Sequence, residues 1–446
     1  MKKYVLLAVF ASLALPLAAL DPLGAYRVRP PVGCVDKDVT AADLTLEDLV
    51  QISLCTNPSL AAAYMGVKAQ EATLGMSRAE YLPSVTVSAA GQITGQRVEN
   101  QPYIQDEPYA GKAEASWLLF DFGGREARTS STKAYVRAAA AQYDATVNNL
   151  LLKVKTAYLN LLAAKESLLS AQASLDTYKQ SYEEAQKRYK LGMVSLSDKL
   201  QARTRYEQSL LAVVQHENLV NQYNGALAIL LNLRPDTTIH LQEPVFQEEA
   251  VRIPNDNVTE LMQQALEKRP EMLAQQHTQE AAKANLHTAR TRMLPSLSAN
   301  ASATLSDNWK HDQPYLQNNV AGLVLAWPIF SGFANTYAAQ QASYAYKQAQ
   351  SQTQDVKRQV ENEVWLAYQN YQTAARSYEI SQTVLESAEE NHRVAFRYYE
   401  VGKTDIINLL TAVAQLADAR QNKITAFYNL LLSKANLSKS IGENEL

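Results

Sequence analysis

Residues 124–189 read GREARTSSTKAYVRAAAAQYDATVNNLLLKVKTAYLNLLAAKESLLSAQASLDTYKQSYEEAQKRY, with no proline and, after Gly124, no glycine. Nothing in this run terminates a helix. At 1.5 Å of rise per residue, one helix of about 65 residues spans ~100 Å, several times the usual globular length. Ala140, Val147, Val154, Leu161, Leu168, Leu175, Tyr182 and Tyr189 recur every seven residues, the spacing of a coiled-coil seam. A second such run extends from about residue 332 to Tyr399, with Val364, Tyr371, Tyr378, Leu385, His392 and Tyr399 at the same interval. Leu191-Gly192-Met193 and Val401-Gly402-Lys403 supply a turn after each run, and helices are expected to return over about 196–233 and 405–439. The chain therefore reads as two very long helical hairpins.

The hairpins sit inside a larger duplication. LVQISLCTNPSL, with Pro58, matches LMQQALEKRPEM, with Pro270, and YLPS at 81–84 matches MLPS at 293–296, both at an offset of 212 (270 − 58 and 295 − 83). Trp117 pairs with Trp327, Ala157-Tyr158 with Ala367-Tyr368, and Gly192 with Gly402, all at an offset of 210. The two-residue slip falls between Ser84 and Trp117, and is expected in a surface loop, where length changes are tolerated.

Each copy has the same order of elements. A short helix is followed by a second helix opening on Pro58 or Pro270, where the missing N–H costs nothing, and closing near Arg78 or Arg290 before the prolines at 83 and 295. Two alternating segments come next. In 297–305 the odd positions Leu297, Ala299, Ala301, Ala303 and Leu305 are apolar and the even ones Ser298, Asn300, Ser302 and Thr304 polar, and Val85, Val87 and Ala89 repeat this in the first copy. Such alternation marks strands with two different faces. In the next segment Lys112, Glu114 and Ser116 oppose Ala113, Ala115 and Trp117. The expected strands are about 84–94, 110–120, 296–306 and 319–330, with polar loops at about 95–109 and 306–318. The organisation read from the chain is a signal peptide at 1–20, an extended arm at 21–44, a first repeat at 45–242, a linker at 243–256 holding Pro244 and Pro254, and a second repeat at 257–446.

The N-terminus MKKYVLLAVFASLALPLAAL has a basic start, an apolar stretch too short to span a bilayer and small residues near its end, which is the pattern of a secretory signal. An exported chain meets an oxidising compartment. Cys34 and Cys55, the only cysteines, are therefore read as a disulfide pinning the arm to the first helix. Lipidation at Cys34 is the alternative. Forty-two basic residues against 45 acidic ones give no basic face for nucleic acid. The six histidines are scattered without metal-ligand spacing, FGGRE lacks the residues of a phosphate loop, and Glu183-Glu184 and Glu389-Glu390 read as solvated helix faces. No enzyme activity and no cofactor are implied. Four strands cannot close a transmembrane barrel, since the smallest need about eight, so oligomerisation is expected. Three copies give twelve strands around a polar lumen. A secreted coiled-coil tether without a pore is the alternative.

The duplicated order of elements, the LPS motifs at 82–84 and 294–296, the LFDFGGR and IFSGFAN strand-to-helix junctions and the YKLG and YEVG turns resemble the TolC-type outer-membrane efflux and secretion channels, the outer membrane factors. The likeness covers essentially everything after the signal. It implies a mostly helical fold with β: a homotrimer whose twelve-stranded barrel sits in outer-membrane lipid and continues as a periplasmic α-barrel. It further implies a passive duct for efflux or type I secretion, opened at its helical tips by a periplasmic adaptor (membrane fusion) protein and an inner-membrane pump of RND, ABC or MFS type. By position, Leu191, Gly192, Met193, Val401, Gly402 and Lys403 correspond to adaptor-contacting tips. Asp198 corresponds to a gate aspartate bonding a tyrosine that matches Tyr399. Thr404 stands where the family has a gate arginine, and Asn408 and Thr411 stand where some members place aspartate rings, so a less cation-selective ring is expected. From the residues alone, Asp198 also reads as a first-turn helix residue favoured by the dipole.

Overall fold

The computed structural model describes residues 43–97, 99, 102–242, 257–308 and 315–443. In chain order the elements are α1 (Leu46–Thr56), α2 (Pro58–Ala79), β1 (Ser84–Gly91), β2 (Thr94–Gln96), β3 (Ile104–Asp106), β4 (Pro108–Phe120), α3 (Gly124–Lys190), α4 (Leu196–Leu230), α5 (Val258–Lys268), α6 (Pro270–Thr291), β5 (Ser296–Asn308), β6 (Leu316–Ala326), α7 (Ala334–Glu400) and α8 (Ile406–Ser440). The paired helices of the two copies match in length, 67 residues for α3 and α7 and 35 for α4 and α8. Two compact units form. One comprises 65–140 and 275–352, and the other, among the described residues, 43–64, 141–274 and 353–443.

The first unit is built on one antiparallel sheet of order β1-β4-β5-β6. Its register aligns like with like. Val85, Ala115, Ala301 and Ala321 form one row across all four strands, and Ser88, Lys112, Thr304 and Asn318 another on the opposite face. Because side chains alternate along a strand, these rows separate an apolar face from a polar one. Lys112 and Glu114 neutralise each other on the polar face at 2.6 Å. Val85, Val87, Leu305, Leu323 and Leu325 remain exposed on the apolar one. β1 and β6 are the edges, each with one neighbour in the sheet.

Strand bounds depart from the alternation pattern at every strand: β1 stops at Gly91, short of 94, and β5 runs on to Asn308, past 306. β2 and β3 pair as a small separate ribbon inside the first loop. The strand β4 starts at Pro108, earlier than 110. β6 runs from Leu316 to Ala326 rather than to Phe330, because Pro328 has no N–H to give a ladder.

Both strand-to-helix junctions use two successive residues with positive φ, Phe122 (53°) with Gly123 (84°) and Gly332 (61°) with Phe333 (65°). These positions are equivalent at the offset of 210. Asp121 then caps α3, its carboxylate accepting from the Arg125 N–H at 2.7 Å, and Ser331 does the same for α7, accepting from the Asn335 N–H at 3.4 Å. The Trp117 and Trp327 indoles donate to the carbonyls of Tyr81 and Met293, at 2.9 and 3.2 Å. Arg125 is buried and donates to the carbonyls of Leu118, Leu119 and Glu80, at 2.6, 2.9 and 3.4 Å.

In the second unit, α1 is opened by a capping box of Thr45 and Asp48, and a core joins Leu261, Ala265, Val364, Tyr371, Leu430 and Leu437. The seam of α7 includes Val364, Tyr371 and Tyr399, all buried. In α3 the heptad read in the sequence holds at Val154 and Leu161, both buried, and shifts beyond them: Leu168, Leu175 and Tyr182 are half-buried and Tyr189 exposed, whereas Ser167, Ser174, Ser181 and Arg188 are buried at the same interval. Ser174 and Ser181 donate to the carbonyls of Ser170 and Thr177 in their own helix, at 2.9 and 3.0 Å, and Ser167 Oγ accepts from Gln421 Nε2 of α8 at 3.1 Å.

Candidate functional site: the hairpin tips

Each tip is a helix C-terminus closed by a left-handed glycine, Gly192 at φ +71° and Gly402 at φ +75°, a conformation that favours glycine. At the first tip the Gly192 N–H donates to Tyr189 O (3.0 Å) and the Met193 N–H to Arg188 O (2.9 Å). At the second, the Gly402 N–H donates to Tyr399 O (3.0 Å) and the Lys403 N–H to Tyr398 O (2.8 Å). This is the Schellman pattern in both copies. Leu191, Met193 and Val401, with Gly192, Gly402 and Lys403, are all exposed, so the tips present apolar side chains to solvent.

The return helices begin differently. Ser195 and Asp198 form a reciprocal capping box on α4, the Ser195 N–H donating to the Asp198 carboxylate at 3.0 Å and the Asp198 N–H to Ser195 Oγ at 3.1 Å. Asp405 caps α8 by accepting from the Asn408 N–H at 2.8 Å. Behind the caps, Tyr178, Ala185, Ala202, Tyr399, Ile406, Leu409, Leu410 and Val413 join α3, α4, α7 and α8 in one apolar cluster.

The Asp198–Tyr399 bond implied by the family resemblance is not made in the protomer. The Asp198 carboxylate is engaged by its own helix start, and the Tyr399 hydroxyl is buried with no hydrogen-bond partner. Burial pushes that hydroxyl's pKa up, with the Arg188 cation opposing. Tyr399 instead lies beneath Arg188, whose guanidinium carbon is 4.6 Å from the ring centroid. Thr404 is half-buried. Asn408 and Thr411 are exposed one turn apart on α8, with the Thr411 hydroxyl donating to Ile407 O at 2.7 Å. The Cys34–Cys55 pairing lies outside the described residues at its Cys34 end. Arg188 escaped the sequence reading because that reading followed apolar heptads.

No helix among the described residues is long and apolar enough to cross a membrane. The pattern of the outer membrane efflux protein family matches residues 49–233 and 261–443, one segment for each copy. The chain belongs to that family. Among its relatives, protein CyaE of Bordetella pertussis is 27% identical over 426 residues, covering 95% of this chain and 88% of its own length. The outer membrane protein TolC of Vibrio cholerae is 27% identical over 382 residues, covering 82% and 83%. The fold is that of the solved outer-membrane channel OprN, with a TM-score of 0.80 at 20% identity over 94% of this chain and 98% of that one. This member of the outer membrane efflux protein family is thus a channel component of an efflux or secretion system, located in the outer membrane with a large periplasmic helical portion. TolC-like channels work as trimers with an adaptor and an inner-membrane pump.

Proposed function

We propose that three copies of this chain close one twelve-stranded barrel, and that the Gly192 and Gly402 tips form the periplasmic gate and the adaptor-docking end of a passive duct without catalysis of its own. The observation that carries this is the open sheet. Its four strands alternate in direction, so β6 of one copy meets β1 of the next antiparallel. Lipid tolerates no unpaired sheet edge. With an apolar face outward, the polar rows containing Ser88, Lys112 and Thr304 line the lumen.

At the tips, exposed Leu191, Met193 and Val401 suit an adaptor that buries apolar side chains, with Gly192, Gly402 and Lys403 completing the surface. An inner-membrane pump of RND, ABC or MFS type completes the assembly. Asp198, Tyr399, Thr404, Asn408 and Thr411 belong to the gate, and uncharged Asn408 and Thr411 give a weakly cation-selective constriction. The two copies, 45–242 and 257–446, are joined by the linker 243–256, and a Cys34–Cys55 disulfide pins the arm to α1; two free thiols in the intact mass of the secreted protein would exclude that bridge. Purified protein in a planar bilayer tests the whole reading. A trimer that conducts, and whose reversal potential shifts toward cation selectivity in Asn408→Asp, supports it. A protein that inserts no pore is a tether instead.

A further inference from the structure

We infer that Arg188 is a positioning residue that latches the two hairpin tips of one protomer together, and that its release from α7 is a step in opening the channel. The inference rests on the reading of the tips as the gate. The Schellman turn at Gly402 satisfies the carbonyls of Tyr398 and Tyr399 and leaves that of Glu400, the last residue of α7, without a donor from its own turn. Arg188 supplies the donor from the other hairpin: Nη2 donates to Glu400 O. The same side chain is 9% exposed, donates from Nε to the Glu184 carboxylate at 3.2 Å and covers the face of Tyr399, itself 1% exposed. A cation at the carbonyl end of a helix is favoured by the helix dipole, and guanidinium combines stacking with directed donation in a way ammonium does not. One residue of α3 thus completes the C-terminus of α7. Parting the hairpins at this end must first break that donation and uncover Tyr399.

The duplication makes the latch one-sided. Tyr398, the equivalent of Arg188 in the second copy, is exposed and has no charge to offer the first tip. Glu184 holds the guanidinium in place as an i,i+4 partner.

Single-channel conductance of the full-length trimer in planar bilayers tests this. Arg188→Ala is expected to raise conductance several-fold. Arg188→Lys, which keeps the charge and loses the fork, should give a smaller rise, and Glu184→Gln a smaller one again. A conducting wild type whose Arg188→Ala and Arg188→Lys trimers behave identically to it overturns the latch and leaves the duct reading standing. A wild type that never conducts sinks the duct reading and the latch with it. If Arg188→Ala yields no trimer, the Lys and Glu184→Gln variants decide, and no rise in either overturns the proposal.

Discussion

At three places the two copies keep one backbone and fill it with different side chains. Position 125 is arginine and its equivalent 335 asparagine; 188 is arginine and 398 tyrosine; 57 is asparagine and 269 arginine. The first junction is tied by buried Arg125 to three carbonyls, the second by Asn335 to one, Arg292 O at 3.5 Å. The turn between α1 and α2 is held by the Asn57 side chain, which donates to Leu230 O and accepts from the Ser59 N–H. The turn between α5 and α6 is held instead by ion pairs of Arg269 with Glu271 and Glu363. Turn geometry is what both copies retained, because the chain path depends on it. The chemistry securing each turn was free to diverge, so one copy can perform a task the other cannot.

The junctions give the largest test of this asymmetry. Arg125→Ala leaves buried carbonyls without donors, a cost of about 3 kcal/mol or more, whereas Asn335→Ala should cost below ~1 kcal/mol. Denaturant midpoints in detergent compare the two, and equal losses would break the distinction between copies. The tips should behave in the opposite way. Gly192→Ala and Gly402→Ala meet open space but are forced to positive φ, so each should cost ~1–2 kcal/mol and the two losses should match. Hydrogen exchange of the tip amides reads this locally.

The smallest effect concerns acid. Among the influences on Glu271, burial alone would raise its pKa, but hydrogen bonding and charge from Arg269 prevail and hold it below the usual 4.5. A lowered carboxylate stabilises the fold above about 4.5 and loses that contribution as pH falls through the folded value. The turn at Pro270 should therefore loosen below that pH while the turn at Pro58, held by amide bonds, does not. The difference, under ~1 kcal/mol, should vanish in Glu271→Gln when unfolding is followed from pH 7 to 3 by tryptophan-free probes placed at each turn.

The long helices and strand faces were legible because they rest on local pattern: no breaker between Gly124 and Lys190, and strict alternation at 297–305. The shifted seam of α3 was not, since Ser167, Ser174 and Ser181 look like surface residues until the partner helix is in place. The tip turns could be read from their glycines. Arg188 could not, because its importance depends on an orphan carbonyl 212 residues away, which no local pattern reveals. The family resemblance placed Asp198 at a gate, while the residue alone read as a first-turn helix residue favoured by the dipole. In the protomer it does sit in the first turn of α4, where it shares a capping box with Ser195.

The bare edges at β1 and β6 have a kinetic consequence. A lone chain offers a row of unpaired amides on both sides of its sheet and an apolar surface with nothing against it, so lipid rejects it and water gives it no good resting form. Barrel closure on the proposed scheme needs all three copies at once. Its rate should climb much more steeply than linearly with the amount of chain exported, and the stability measured for the finished channel should depend on how much protein is present.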